Sequence, residues 1–250
     1  MTNRMLITGG SRGIGAATAR LAAAEGFDVA ITYVGAEAAA RGVVADVEAK
    51  GRRAVAIQGD IAQPRDVARM FEMADRELGG IDAFFNNAGI FAPALPFVDI
   101  SLQRLERMLD VNVLGSFLAA QEAVRRMMKS RGGKGGAIVN MSSIASKLGG
   151  ATGFTDYGAS KGAIDAMTIG MAKELAGEGI RVNAVRPGLI DTEIHANAGD
   201  PGRIARLAAS IPLQRGGKAE EVAEAVLWLC SDKAAYVTGQ LLDVAGGRGL

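Results

Sequence analysis

The sequence predicts an α/β fold, a doubly wound sheet of seven parallel strands with helices on both faces. Three observations predict it. Seven short apolar runs alternate with segments of helical period along 250 residues. Glycines punctuate the boundaries between them. A glycine-rich loop follows the first run. Strand–helix–strand repetition implies right-handed crossovers and a sheet covered on both sides.

The apolar runs lie at residues 5–8, 29–33, 54–58, 83–86, 137–141, 181–185 and 241–244. Each is mainly apolar, as strands buried on both faces are. Helical period appears at 15–25, 36–50, 64–78, 102–129, 159–177 and 219–229. Gly26, Gly51, Gly79 and Gly179 fall at helix ends, where a left-handed residue closes the last turn. Pro64 suits a first helical turn. With no Pro/Gly/Ser-rich linker or charge run between them, one domain spanning 1–250 is expected. In such a sheet, ligands bind beyond the carboxyl ends of the strands, at the switch in strand order.

Composition narrows the function. Hydrophobic residues make up 49%, charged residues 22%, and the net charge is +1. No basic stripe points to nucleic acid. The densest basic stretch, "RRMMKSRGGKGG" at 125–136, reads as cations at a helix C-terminus followed by a glycine loop. A single cysteine, Cys230 in "VLWLC", reads as a buried structural thiol. With His195 as the only histidine, no metal site and no Ser-His-Asp triad is expected. No apolar stretch reaches membrane-spanning length, "MTNRMLITGG" runs straight into a strand, and the cytoplasm is the expected location.

The loop "TGGSRGIG", residues 8–15, carries Gly9, Ser11, Arg12, Gly13, Ile14 and Gly15. Glycine lets a backbone approach a pyrophosphate, and the following helix offers free amides to it. Any tight strand-to-helix turn also favours glycine, but this place after the first strand favours a dinucleotide in a Rossmann-type fold. The second strand ends at Tyr33, where an acidic residue would bind the 2′-hydroxyl of NAD. Without that carboxylate, and with Arg12 near, NADP(H) is favoured and NAD(H) remains possible. Arg12 as a plain exposed loop cation, and Tyr33 as a packing surface for adenosine, stay open.

With "TGGSRGIG" and "DYGASK" (156–161) in order, the chain resembles the short-chain dehydrogenase/reductase family, in its ketoacyl-reductase and glucose-dehydrogenase-like form. The resemblance covers essentially the whole chain. It implies that Asp60 and Ile61 lie beside adenine, and that "NNAG", with Asn87, Ala88 and Gly89, lines the nucleotide. It also implies that the loop after strand six, with Pro187, Gly188, Ile190 and Thr192, meets the nicotinamide carboxamide. Asn112, Ser143, Tyr157 and Lys161 match the family's catalytic set. Residue by residue, other readings stay open: a turn-capping Asp60, a glycine turn with backbone-bonded asparagines, a plain buried Asn112. Asn112 is awkward within a long apolar helix, and a local distortion holding a water would accommodate it. Ser142 and Ser143 are adjacent on a strand end and point to opposite faces, so only one aims into the cleft.

Tyr157 and Lys161 share a helix face at i, i+4 spacing. A charge about 5 Å away, at an effective dielectric near 20, is worth roughly 3 kcal/mol. That lowers a phenol by about two pKa units, against which desolvation pushes. The resemblance then implies the chemistry. Tyr157 exchanges a proton with a small-molecule carbonyl or alcohol, and Ser143 binds the same oxygen. Lys161 tunes Tyr157 and binds the nicotinamide ribose, and Asn112 holds a proton-passing water. A non-catalytic NADP-binding sensor or scaffold is the competing reading. Residues 193–215 read as a substrate lid, whose His195, Arg203 and Arg206 are expected as solvated lid residues, with contact to an anionic or polyol substrate as the open alternative. Relatives in this family imply a homotetramer through the helices at 102–129 and 159–177 and the C-terminal segment.

Overall fold

The computed structural model describes residues 3–193 and 199–250. A seven-stranded, all-parallel sheet runs in the order β3-β2-β1-β4-β5-β6-β9. Its strands are β1 (Arg4–Ile7), β2 (Asp28–Tyr33), β3 (Ala54–Gln58), β4 (Ala83–Asn86), β5 (Gly136–Met141), β6 (Ile180–Pro187) and β9 (Leu241–Val244). The chain builds outward from β1 to β3, returns to the other side at β4, and continues to β9. The switch in order therefore falls between β1 and β4, and opens a crevice at their carboxyl ends.

Side chains along β1 divide between the faces. Met5 and Ile7 pack with α1 (Gly13–Ala24), α2 (Glu37–Glu48) and α9 (Ala219–Cys230). Leu6 packs with α3 (Pro64–Leu78), α5 (Ser116–Met127) and α7 (Thr155–Leu175). Phe84 and Phe85 divide in the same way, as do Ile138 and Val139. All seven of these side chains are fully buried. Pro64 begins α3, and Gly79 closes it in the left-handed conformation (φ 82°).

The span expected as one helix at 102–129 is three pieces. They are α4 (Leu102–Leu109), a π-helical turn (Asp110–Gly115) and α5. Two forces break it. Asn112 bonds away from its own helix, and Gly115 lies so close to Ile61 that a Cβ would fall 2.7 Å from the Ile61 carbonyl oxygen. Helix α7 begins at Thr155 rather than 159, because the polar residues of its first turn carry no apolar period. Period also fails to register α6 (Ile144–Leu148), α8 (Arg203–Leu207) and the two-residue strands β7 (Ile190–Asp191) and β8 (Gly217–Lys218). Among the described residues, no helix is long and apolar enough to cross a membrane.

Candidate active site

A cleft of about 430 Å³ opens at the carboxyl ends of the strands. Its size suits a small-molecule site. The glycine loop forms its near wall. Asn87 Nδ2 donates to the carbonyls of Thr8 (2.8 Å) and Gly9 (3.0 Å), and Thr8 Oγ1 accepts from the amides of Asn87 (2.9 Å) and Ala88 (3.0 Å). These bonds lock the loop after β4 to the loop after β1. A Cβ at Gly15 would fall 2.5 Å from the Gly9 carbonyl oxygen. No side chain caps α1, whose first residues, Gly13, Ile14 and Gly15, line the cleft. Uncapped amides and a positive helix end fit a pyrophosphate.

Farther along this wall, Tyr33, Val34, Gly35 and Ala36 line the cleft without a carboxylate. Arg12 is half exposed, and its Nη1 lies 3.2 Å from Glu193. Asp60 both caps a turn, accepting the Ala62 amide at 2.9 Å, and pairs with Arg107 at 3.0 Å. It lines the cleft with Ile61. Pro187, Gly188, Ile190 and Thr192 stand opposite the glycine loop; a Cβ at Gly13 would touch Thr192 at 3.4 Å.

Strand β5 delivers the two serines to different surroundings. Ser142 Oγ donates to Asp165 at 2.6 Å beneath the cleft floor. Ser143 caps α6, accepting from Ala145 N at 3.1 Å, and hydrogen-bonds to Tyr157. Lys161 is buried, and its Nζ donates to the Met141 carbonyl (2.8 Å) and lies 5.7 Å from the centroid of the Tyr157 ring. Ser143, Tyr157 and Lys161 thus share one wall with the cofactor-side residues. Asn112 does not line the cleft. Fully buried behind it, Asn112 clamps Ile90 by accepting the Ile90 amide (2.7 Å) and donating to the Ile90 carbonyl (3.0 Å).

Burial pushes the Tyr157 phenol up from its ordinary value, against the Ser143 hydrogen bond and the positive charge of Arg203. The net lowering that Lys161 alone would give is not the outcome: the ammonium lies over the ring and is bonded to Met141. Burial also lowers Lys161 to about 8, with Asp165 opposing.

Residues 9–248 match the family described as enoyl-(acyl carrier protein) reductase. The chain belongs to the short-chain dehydrogenase/reductase family of oxidoreductases. An uncharacterized oxidoreductase of Escherichia coli, YgfF, is 50% identical over 243 residues, covering 97% of this chain and 98% of that one. A blue fluorescent protein from a metagenomic library, solved with NADPH, superposes at a TM-score of 0.91 with 41% identity, covering 99% of this chain and 98% of its own. A 3-ketoacyl-(acyl-carrier-protein) reductase from Brucella melitensis, solved with NADH, also scores 0.91, with 30% identity and the same coverage.

This short-chain dehydrogenase/reductase carries cleft residues that the sequence did not disclose. Phe91 and Phe154 stack at 4.6 Å, and Phe91 meets the Tyr157 ring edge-on at 4.9 Å. Arg203, expected in solvent, is instead buried against these rings, while Arg206 is exposed and pairs with Asp200. Arg248, from the C-terminal turn, joins the lining. Nothing in composition or period marks a buried arginine. His195 lies outside the described residues. Cys230, expected to be buried, is half-buried, and desolvation pushes its thiol up to about 12. No cluster of metal-ligating side chains occurs among the described residues.

Proposed function

We propose that this protein is an NADP(H)-dependent oxidoreductase that interconverts a small carbonyl compound and its secondary alcohol, with Tyr157 as general acid and base. One observation carries the reading: Tyr157, Ser143 and Lys161 share a cleft with an uncapped helix N-terminus behind a glycine loop. A sensor needs the second feature but has no use for the first.

Gly13, Ile14 and Gly15 hold the pyrophosphate through backbone amides. Pro187, Gly188, Ile190 and Thr192 hold the nicotinamide end, and Lys161 holds its ribose. The bound nicotinamide supplies or accepts hydride. Ser143 donates a hydrogen bond to the substrate oxygen and fixes it beside Tyr157. Its raised pKa keeps Tyr157 protonated at neutral pH, the form that donates to a nascent alkoxide. The Lys161 ammonium beside the ring then stabilises the phenolate and passes a proton onward. Asn112 is a positioning residue; its clamp on Ile90 holds Gly89 beside Lys161, where a Cβ would fall 3.5 Å from Nζ.

NADP(H) is favoured over NAD(H) at the adenine end. The cleft wall after β2 offers no acid before Glu37, and Glu37 is paired with Arg41 at 2.6 Å. A 2′-phosphate therefore meets no carboxylate there, and Arg12 stands close. A panel of ketones, aldehydes and secondary alcohols, assayed with NADPH and NADH in parallel, tests the reading. Turnover that is faster with NADPH supports it. Tight NADPH binding with no turnover across the panel favours the sensor.

A further inference from the structure

Around Tyr157 the cleft is lined by Phe91, Phe154 and Arg203, and Arg248 joins the same lining. Arg203 opens α8 and is 8% exposed. Its guanidinium carbon lies 4.3 Å from the centroid of Phe154 and 5.4 Å from that of Phe91. Because Phe91 meets Tyr157 edge-on, the guanidinium stands about one aromatic ring from the phenol. Aromatic faces hold a guanidinium but satisfy none of its N–H groups.

Those donors are left over. Arg203 Nε is buried with no hydrogen-bond partner among the described residues, and so is Arg248 Nη1. A buried, unsatisfied charged donor is costly, and like charges facing one another add to the cost. Burial, then the charge of Arg248, lowers the pKa of Arg203. The nearby acid, Asp200, is bonded to Arg206 (3.1 Å). Of the acids on the lining, Glu193 faces Arg12 and Asp60 pairs with Arg107. The substrate end therefore carries two guanidinium groups on the same cleft lining as Tyr157, with Asp200 partly offsetting the charge of Arg203.

We propose that Arg203 and Arg248 form a carboxylate-binding subsite, so that the substrates are short oxo acids and the corresponding hydroxy acids. The inference rests on the oxidoreductase reading above and names its substrate class. A carboxylate has two coplanar oxygens that match a guanidinium fork. The breadth of one ring between guanidinium and phenol limits the spacer between carboxylate and carbonyl to a few atoms. Bound there, the carboxylate pairs with the two guanidinium groups and presents the ketone to Ser143 and Tyr157.

The test uses matched pairs, a series of 2-, 3- and 4-oxo acids and their methyl esters, with the intact protein and NADPH. Two quantities are read: kcat/KM, and the dissociation constant of each acid and ester for the protein–NADP+ complex by calorimetry. At the best chain length the acid exceeds its ester at least tenfold in both. Arg203→Met and Arg248→Met each lower that acid-to-ester ratio at least tenfold. The ratio is insensitive to partial misfolding, since the fraction of folded protein cancels, and two variants on separate segments guard against the loss of either. Equal binding of acid and ester at every length, or ratios unmoved in both variants, overturns the subsite. Turnover of esters alone then leaves the oxidoreductase reading standing. Selective acid binding with no turnover of any ketone leaves the subsite standing and removes the oxidoreductase reading.

Discussion

At Tyr157, burial and charge pull the proton in opposite directions, and burial is the stronger. Lys161 feels the same apolar surroundings and is lowered from 10.5 to about 8. Two expectations follow from that value. Ketone reduction with NADPH keeps a level kcat/KM below about pH 8 and falls above it, as Lys161 loses the charge that stabilises a phenolate. A flat profile to pH 10 contradicts this. The second expectation concerns stability. A lysine whose folded pKa lies below its unfolded value binds fewer protons when folded, so its burial penalty is full below pH 8 and relieved as pH rises toward 10.5. Lys161→Met therefore stabilises the protein at pH 7, by up to about 3 kcal/mol less the lost bond to Met141. Urea denaturation at pH 7 and pH 10 checks that the gain shrinks at the higher pH. The family resemblance singled out these two residues and Ser143; the i, i+4 spacing alone did not, and strand alternation said only that one of Ser142 and Ser143 faces the cleft. Their protonation was not legible, because it depends on burial and on where the ammonium points.

Helix α7 is held at its first turn by a buried ion pair across to α4. Asp156 accepts from Arg104 Nε at 2.7 Å and from the Tyr157 amide at 2.9 Å, while Arg104 also donates to the Pro93 carbonyl at 2.6 Å. Removing one partner leaves the other buried and uncompensated, so Asp156→Ala costs about 3–5 kcal/mol. Its kcat falls too, because the turn carrying Tyr157 loses its anchor. A change below 1 kcal/mol in urea denaturation contradicts that role. The glycine loop makes a comparable demand. Gly15→Ala places a methyl carbon 2.5 Å from a carbonyl oxygen, and overpacking of this kind costs about 1–3 kcal/mol. NADPH affinity, measured by fluorescence, falls with it; an unchanged affinity contradicts the cradle. The glycine pattern announced this loop in the sequence. Asp156 stood within the "DYGASK" stretch yet carried no signal, because its partner lies 52 residues away. The π-turn was half legible: Asn112 marked the place, and only the packing of Gly115 on Ile61 shows why the helix breaks there.

For the whole molecule, the seven strands were readable because strands covered by helices are mainly apolar, even at the half-buried edges β3 and β9, and the alternation with helices dictated parallel pairing. Strand order came from structure, since no local pattern records which side of β1 the chain returns to. The substrate end was the least legible part. Arg203 and Arg248 are brought together from segments that look like surface loop and C-terminal tail. Exposed apolar side chains, among them Leu102, Leu105, Leu109, Leu114 and Phe117, run along α4, the π-turn and α5. A run of this kind marks an interaction surface. We propose that a homotetramer, the assembly the family resemblance implies, covers this run, and sedimentation velocity is then expected to give about four times 25.8 kDa. A mass of one chain contradicts the assembly and leaves the cleft untouched.

The central claim is that Tyr157 moves the proton. Tyr157→Phe keeps the ring and its edge-on packing with Phe91 and removes only the hydroxyl. The account predicts a fall in kcat of about 10²–10⁴-fold on the best carbonyl substrate, the range for loss of a general acid, with NADPH affinity held within about threefold by the backbone amides that bind the pyrophosphate. Turnover by Tyr157→Phe at the parent rate would contradict it.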